Sequence, residues 1–257
     1  MRIGVSGAGG RMGREVCRAV AAEEDLELVY AADPACAGRR LSELVPGIPV
    51  DLEIVGGEGE PSERDVEVMI DFSLAPAARE NVPRALGAGI HCVVGTTGFT
   101  AEDLEGFDRV ARANRVGCLV APNFAIGAVL MMDFARRAAR FLPACEIVEM
   151  HHPAKLDAPS GTARKTASLI LEAWGEAGEE REEGPRGLAM GGIRLHSVRL
   201  PGLVAHQEVI FGGSGQTLTI RHDSFDRASF MPGVIMGVRK VPGLEGLVVG
   251  LEKIMEL

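Results

Sequence analysis

Met1 to Ser6 reads as a short buried strand, Gly7-Ala8-Gly9-Gly10-Arg11-Met12-Gly13 as a glycine turn, and Arg14 to Ala22 as a helix. Strand, glycine turn and helix in that order let a backbone approach a pyrophosphate lying on a helix N-terminus. The spacing is G-x-x-G-x-x-G through Gly7, Gly10 and Gly13. Met12 takes the place of the last glycine in the commoner G-x-G-x-x-G form. A tight turn with no ligand would use the same residues, so the turn alone leaves both alternatives open.

The next strand, Leu26 to Ala32, ends at Asp33. An acidic residue about twenty residues past the last glycine is placed to bind a ribose 2′-hydroxyl. The alternative is a simple turn residue before Pro34. Asp33 would repel a 2′-phosphate and favour NADH, whereas Arg39 and Arg40, slightly further on, offset that repulsion. NADH or NADPH therefore both stay open.

Residues 37–61 are irregular, with a helical turn expected over Leu41 to Val45, a short strand near Asp51 to Val55, and an exposed loop from Gly56 to Pro61. Strand and helix then alternate strictly. Val66 to Asp71, Ile90 to Val94 and Val116 to Ala121 are strands; Ala75 to Ala88 and Ala101 to Arg115 are helices. That alternation predicts a Rossmann-like, doubly wound parallel α/β sheet, with ligands at the carboxyl ends of its strands. Those ends are Gly7 to Gly13, Phe72-Ser73, Gly95-Thr96-Thr97 and Ala121-Pro122-Asn123-Phe124, and together they are expected to line one cofactor groove.

The pattern changes after Asn123. A long apolar helix is expected over Ile126 to Leu142, a strand over Cys145 to Met150, a helix from Gly161 to about Ala177, and a charged, glycine-rich loop over Gly178 to Gly192. Strands follow at Ile193 to Leu200, Val204 to Phe211 and Gln216 to Arg221, joined by turns at Pro201-Gly202 and Gly212 to Gly215. Their His196, His206 and His222 read as structural or surface histidines. Asp226 to Val241 returns to helix, and Leu247 to Leu251 forms a strand or docking segment against the first domain. The expected organisation is a dinucleotide-binding domain, 1–123 with the return of 229–257, and an α+β substrate and oligomerisation domain, 124–228. The second has a mixed, mostly antiparallel sheet.

Within the second domain's pattern, between its first strand and the helix from Gly161, lies His151-His152-Pro153-Ala154-Lys155-Leu156-Asp157-Ala158-Pro159-Ser160-Gly161-Thr162-Ala163. Two imidazoles and an ammonium precede a helix start with Ser160 as N-cap and Gly161 and Thr162 in its first turn. A helix start offers backbone N–H groups and partial positive charge, so the stretch joins proton-transfer groups to a site for an anion, most simply a carboxylate. A bare strand end would account for one histidine less strainedly than for His-His-x-x-Lys. A metal site is not expected, because adjacent histidines on a strand point to opposite faces and the lysine repels a cation.

The net charge of −9 argues against nucleic acid or an anionic membrane as partner. It also requires any anionic ligand to find positive charge concentrated locally, which the His-Lys stretch supplies. Cys17, Cys36, Cys92, Cys118 and Cys145 form no C-x-x-C pair and read as free thiols in a reducing compartment. With no signal-peptide pattern at Met1 and no apolar run of spanning length, the expected location is cytoplasmic.

A nicotinamide groove and a cationic, proton-donating site together imply hydride transfer to a polarised acceptor carrying carboxylate. Glu149-x-His151-His152-x-x-Lys155-x-Asp157-Ala158-Pro159-Ser160-Gly161-Thr162-Ala163 resembles the signature of the 4-hydroxy-tetrahydrodipicolinate reductases. Gly7 to Gly13, Gly95-Thr96-Thr97-Gly98 and Pro122-Asn123-Phe124-Ala125-Ile126-Gly127 match that family's pattern in order, along the whole chain. The resemblance implies NADH or NADPH, a small dicarboxylate substrate, and hydride delivery to its C4 with loss of water. It gives His151 the acid/base role and Lys155 that of proton donor, with His152, Gly161 and Thr162 on a substrate carboxylate. Gly7, Ala8, Gly9, Gly10, Arg11, Met12, Asp33, Gly95 to Thr97 and Ala121 to Phe124 would hold the cofactor, and a homotetramer would assemble through the C-terminal sheet. Pro153-Ala154 depart from the polar residues common in the family, and Asp33-Pro34 lacks an adjacent basic residue. Two rivals are another nicotinamide reductase, such as a semialdehyde dehydrogenase using Cys145, and a nucleotide sensor without turnover.

Overall fold

The structure, a computed structural model, describes residues 1–57, 65–175 and 185–257. The expectations for Glu58 to Pro61, Ala177 and 178–184 lie outside the described residues. In chain order the strands are β1 (Arg2–Ser6), β2 (Glu27–Ala32), β3 (Val68–Asp71), β4 (His91–Val94), β5 (Gly117–Val120), β6 (Ala144–His151), β7 (Leu188–Met190), β8 (Ile193–Arg199), β9 (Ala205–Gly213), β10 (Gln216–Ser224) and β11 (Gly246–Val249). The helices are α1 (Arg11–Ala21), α2 (Leu41–Leu44), α3 (Ala75–Gly87), α4 (Ala101–Asn114), α5 (Ile126–Ala138), α6 (Gly161–Trp174) and α7 (Met231–Lys240). The chain divides into two compact units, 1–124 with 230–257 and 125–229. No helix among the described residues is long and apolar enough to cross a membrane.

The first unit holds a six-stranded sheet in the order β11-β5-β4-β3-β1-β2. Every pairing is parallel, as the βα alternation predicts. Val68–Asp71 and Gly117–Val120 are buried throughout, the near-continuous apolar pattern of strands covered on both faces. On one face, Ala78, Val82 and Leu86 of α3 and Phe107 and Ala111 of α4 pack on Met69, Cys92, Cys118 and Val120. Each large side chain buried this way contributes about 1.5–3 kcal/mol. β1 pairs with β2 on one side and β3 on the other, so the direction of building reverses at β1. Doubly wound sheets bind ligands at the carboxyl ends of the strands flanking such a reversal.

One hydrogen bond in this sheet is pH-sensitive. His91 Nδ1 accepts the Gly117 N–H at 2.9 Å, which needs Nδ1 unprotonated. Burial lowers the His91 pKa from 6.5, with Glu67 opposing. A depressed histidine pKa contributes stability above the unfolded value that is lost as pH falls through the folded value. The thermal midpoint of the wild type is therefore expected to drop relative to His91→Asn as pH falls below 6.5; parallel curves in a pH series of melts would reject this.

The second unit holds a five-stranded sheet, β10-β9-β6-β8-β7, in which only β6–β8 is parallel. Cys145, Ile147, Leu195, Val209 and Phe211 point to the face covered by α5 and α6, where they meet Met131, Ala135, Ala163, Ala167 and Ile170. Trp174 Nε1 donates to the carbonyls of Ala139 and Leu142 at 3.0 and 3.1 Å, tying the end of α6 to the segment after α5.

The structure corrects several expected boundaries. α5 stops at Ala138, not Leu142, because the chain tightens into i→i+3 bonds (Arg140 N to Arg137 O, Phe141 N to Ala138 O) ahead of Pro143. The expected 178–192 loop contains β7. Its hairpin with β8 turns through Gly191-Gly192 at φ +55° and +87°, a two-residue turn that needs both signs positive. Pro201-Gly202 joins no hairpin, since β8 and β9 lie on opposite sides of β6. The helix expected from Asp226 begins as a 3-10 turn, Arg227–Phe230, and becomes α7 at Met231, where Pro232 sits in the first turn and needs no donor.

Candidate functional site

The glycine turn in the first unit is built by close backbone approach. Gly7 sits at φ +78°, and a Cβ on Gly13 would lie 2.0 Å from the Gly7 carbonyl oxygen. Gly7 N and Ala8 N both donate to Ala32 O, at 2.8 and 3.1 Å, so the turn hangs on the end of β2. Gly9 N donates to Asp33 Oδ2 at 3.0 Å and Ala35 N to Asp33 Oδ1 at 2.9 Å. Asp33 therefore already braces the turn, and a carboxylate's roughly four acceptor positions leave room for a ribose hydroxyl. The N-cap of α1, Gly10, offers no side chain to its helix start, and Arg11 in the first turn is exposed. Arg39 and Arg40 pair with Glu43 and Asp51 at 3.0 and 2.7 Å in exposed contacts of the weak, salt-screened kind.

Met12, Phe72, Gly95, Thr96 and Thr97, all expected cofactor residues, line one open pocket of about 280 Å³ with Ser73, Leu74 and Ala75. A Cβ on Gly95 would fall 2.1 Å from the Phe72 ring. Asp71, at the end of β3, is not among the residues expected at the site, yet it holds two of the pocket's residues, Ser73 and Thr96. It is 1% exposed, and its Oδ1 accepts Ser73 N, Ser73 Oγ and Thr96 Oγ1 at 3.0, 2.8 and 2.8 Å. Its Oδ2 is buried with no hydrogen-bond partner among the described residues. Ala8, Ala121 and Phe124 have buried side chains, Phe124 packing on Phe72 with ring centroids 5.8 Å apart, so toward a ligand these three have backbone to offer. Backbone close enough to exclude any Cβ, an exposed arginine at an uncapped helix start and an orphaned buried oxygen fit a dinucleotide.

In the second unit, β6 delivers His151 and α6 delivers Ser160 to Thr162. Along β6, Cys145, Ile147 and Glu149 alternate inward. Glu149 is 0% exposed. Its Oε2 meets His151 Nδ1 at 2.5 Å and Arg199 Nη1 at 2.8 Å; its Oε1 meets Arg199 Nη2 at 2.8 Å and Ser160 N at 3.2 Å. Burial pushes the Glu149 carboxyl up, but hydrogen bonds from Arg199, Ser197 and His151 outweigh it and hold the group below its ordinary range. Because a carboxylate only accepts, His151 Nδ1 carries the hydrogen and Nε2 is the nitrogen left for exchange. Burial lowers the His151 pKa; Glu149 opposes, while Lys155 and Arg199 add to the lowering.

His152 lies just beyond β6, and Pro153-Ala154 form a turn closed by Lys155 N donating to His152 O at 3.1 Å. Proline favours the second position of such a turn, where no donor is required, so Pro153 costs no hydrogen bond. Lys155 Nζ pairs with Asp157 Oδ1 at 2.8 Å, and that contact lowers the Asp157 pKa. Ser160 Oγ caps α6 by accepting Ala163 N at 3.2 Å, as expected. A Cβ on Gly161 would meet nothing within 4 Å, so packing does not demand glycine there and the helix start is open. Gln207 Nε2 donates to Thr166 Oγ1, which donates to Thr162 O, each at 2.8 Å, bracing that turn from β9.

The other histidines have separate partners: His196 with Glu146 at 2.8 Å and His206 with Asp223 at 2.6 Å. His222 packs against Gly127. All five cysteines are free, and Cys145, the residue a semialdehyde dehydrogenase would need as its nucleophile, is buried, which pushes its thiol up to about 12 and disfavours the reactive thiolate. Among the described residues no group of three or more His, Cys, Asp or Glu side chains could hold a metal ion.

Comparison with known proteins gives two family matches: Dihydrodipicolinate reductase, N-terminus, over residues 1–124, and Dihydrodipicolinate reductase, C-terminus, over residues 127–255. The 4-hydroxy-tetrahydrodipicolinate reductase of Listeria welshimeri is 48% identical, with 100% of each chain covered. That of Desulfitobacterium hafniense is 47% identical over 100% of this chain and 99% of the relative. The solved dipicolinate-bound dihydrodipicolinate reductase from Paenisporosarcina sp. TG-14 is 41% identical, with a TM-score of 0.84 and 98% of each chain covered. A probable dehydrogenase from Thermotoga maritima, at 15% identity and TM-score 0.66, covering 100% of this chain and 93% of its own, shares the fold.

Proposed function

The chain belongs to the 4-hydroxy-tetrahydrodipicolinate reductase family, oxidoreductases of lysine biosynthesis through diaminopimelate that use a reduced nicotinamide cofactor, and from that premise we propose how its residues divide the work. The reaction exchanges a ring hydroxyl for hydrogen. Hydride enters, hydroxide leaves as water, and one proton is consumed. The bound nicotinamide supplies the hydride; the chain must supply the proton and hold the acceptor.

His151, through Nε2, is the acid/base group and Lys155 a proton donor. Ser160, Gly161, Thr162 and His152 take the substrate's carboxylates. The observation that carries this assignment is the Glu149–His151 contact, which commits Nδ1 and leaves Nε2 for proton exchange in the segment that ends at the α6 helix start. The relative solved with dipicolinate supports a dicarboxylate ligand. Gly7, Ala8, Gly9, Gly10, Arg11, Met12, Asp33, Phe72, Gly95, Thr96, Thr97, Ala121, Pro122, Asn123 and Phe124 hold the cofactor, either NADH or NADPH. Asp33 tilts the choice toward NADH, since a 2′-phosphate would meet its carboxylate. Residues 1–124 with 230–257 form the dinucleotide domain and 125–229 the substrate domain.

The half-buried outer row Val148, Met150, Val198 and Ile210 supports assembly through the second sheet, as a homotetramer whose mass sedimentation equilibrium would give. Free thiols suit the cytoplasm.

The test is oxidation of each reduced nicotinamide with the substrate made in place from pyruvate and aspartate semialdehyde by a separate synthase. Substrate-dependent oxidation is expected, with kcat/KM for NADH matching or exceeding that for NADPH. Cofactor binding without turnover would sink the reductase assignment and favour the sensor. A strong NADPH preference would overturn the role of Asp33 alone.

A further inference from the structure

We propose that the ion pair of buried Glu149 with half-buried Arg199 is a positioning device for the reaction, with Glu149 fixing the tautomer and basicity of His151 and Arg199 holding the backbone that presents Lys155. The inference rests on the proton-transfer roles given above to His151 and Lys155.

The geometry points to it in three ways. First, Arg199 spends all five of its N–H donors within the site. Nη1 and Nη2 fork onto the two Glu149 oxygens, Nη2 also reaches Asp157 O at 2.7 Å, Nη1 reaches Val198 O at 2.8 Å, and Nε reaches Lys155 O at 3.3 Å. A guanidinium has no further donor to give, and a lysine could not reproduce the fork. Second, Glu149 joins β6 to the α6 start by accepting both His151 Nδ1–H and Ser160 N–H. One ion pair therefore touches the acid/base histidine, the lysine-bearing loop and the N-cap of the carboxylate site. Third, the parallel register of β6 and β8 puts His151 opposite Arg199 and Glu149 opposite Ser197, so the sheet itself sets the pair.

The physics separates the two roles. A carboxylate against Nδ1 favours the imidazolium, and the guanidinium beyond it opposes that. With both present, Glu149 offsets part of the lowering that burial, Lys155 and Arg199 impose on His151. With a neutral side chain at 149, the Arg199 charge stands unopposed and His151 gives up its proton at lower pH. The Arg199 contacts to Lys155 O and Asp157 O act on position, so losing them alters how the ammonium meets substrate while leaving His151's hydrogen bond in place.

The experiment is nitrogen NMR of histidine-labelled whole protein, with the His151 ring assigned by its disappearance in His151→Asn, alongside steady-state kinetics. In the wild type the neutral His151 ring is expected to carry its hydrogen on Nδ1; a ring protonated on Nε2 overturns the proposal without recourse to any variant. In Glu149→Gln the His151 pKa is expected to fall by about one unit. Its kcat is expected to fall about 10²-fold with little change in KM for substrate. An unmoved titration or a wild-type kcat overturns the proposal, whatever happens to stability. Glu149→Gln with Arg199→Gln leaves no buried charge unpaired and is expected to fold and still show the low kcat; full activity in this pair also overturns the proposal. If His151→Asn itself turns over normally, the failure lies with the proton-transfer assignment and not with the pair.

Discussion

Replacing His151 by Asn, or Lys155 by Met, is expected to lower kcat by about 10²–10⁴-fold, the range a positioned general acid or base contributes. Reduced-nicotinamide binding should be unchanged in both, because the glycine turn and its pocket are built from residues of the first unit alone. The two variants should differ in KM. Asn keeps a donor and an acceptor near the His151 position, so substrate binding is largely retained and the loss falls on kcat. Methionine removes an ammonium that neutralises carboxylate charge, so KM for substrate rises as well. Removing Lys155 also frees Asp157, which is otherwise 2.8 Å from Nζ, and adds a negative charge beside an anionic substrate. Fluorescence titration of NADH and a substrate-dependence series for each variant check both halves. Wild-type kcat in either variant would remove that residue from the chemistry.

Gly13→Ala is expected to be among the most damaging one-methyl changes in the first unit. The new Cβ would stand 2.0 Å from Gly7 O, 2.7 Å from Gly7 C and 2.9 Å from Ala8 Cα, all backbone atoms. Backbone cannot rotate away as a side chain can, and the turn is pinned on its other side by Ala32 O and Asp33. Overpacking costs about 1–3 kcal/mol, and a rigid obstacle puts this site at the upper end. The thermal midpoint should fall and NADH affinity should drop by more than an order of magnitude. Gly161→Ala is the informative contrast. No atom lies within 4 Å of its built Cβ, so the fold should melt as the wild type does. Its methyl would nevertheless stand at the helix start assigned to the substrate carboxylate, so KM for substrate should rise while NADH binding stays constant. Equal KM values for Gly161→Ala and wild type would show that no ligand comes close there.

The contrast between these two glycines also marks what a sequence can carry. The turn at Gly7 to Gly13 was legible because strand, turn and helix there are contiguous, and local spacing fixes their geometry. The parallel sheet was legible for a similar reason: each βα step repeats the same short pattern. Ser160 as N-cap followed from residue type and position, and it caps α6. Glu149 and Arg199 belong to a different class. They lie 50 residues apart and meet only through the register of two parallel strands. Part of that signal was still visible. Cys145 and Ile147 set an inward alternation whose next position, 149, holds a carboxylate where an apolar side chain is the rule, and a buried charge needs a partner. Asp71, ending an apolar strand, carried the same hint. The β7 hairpin was missed because the charge of the preceding segment masked Gly191-Gly192, the residue pair that two-residue hairpins favour.

The edge position of β11 has a consequence for how the molecule is made. The strand beside β5 comes from residues 246–249, near the end of the chain, and Leu247 N reaches back to Asp108 Oδ1 at 2.8 Å. During synthesis the nucleotide-binding sheet therefore emerges one strand short, and it waits while the whole second unit leaves the ribosome. Throughout that interval β5 is an unprotected edge, with its backbone donors and acceptors open to any passing strand. The second unit has no such wait: its strands and helices are one continuous stretch of chain, so it can close before the nucleotide-binding sheet does.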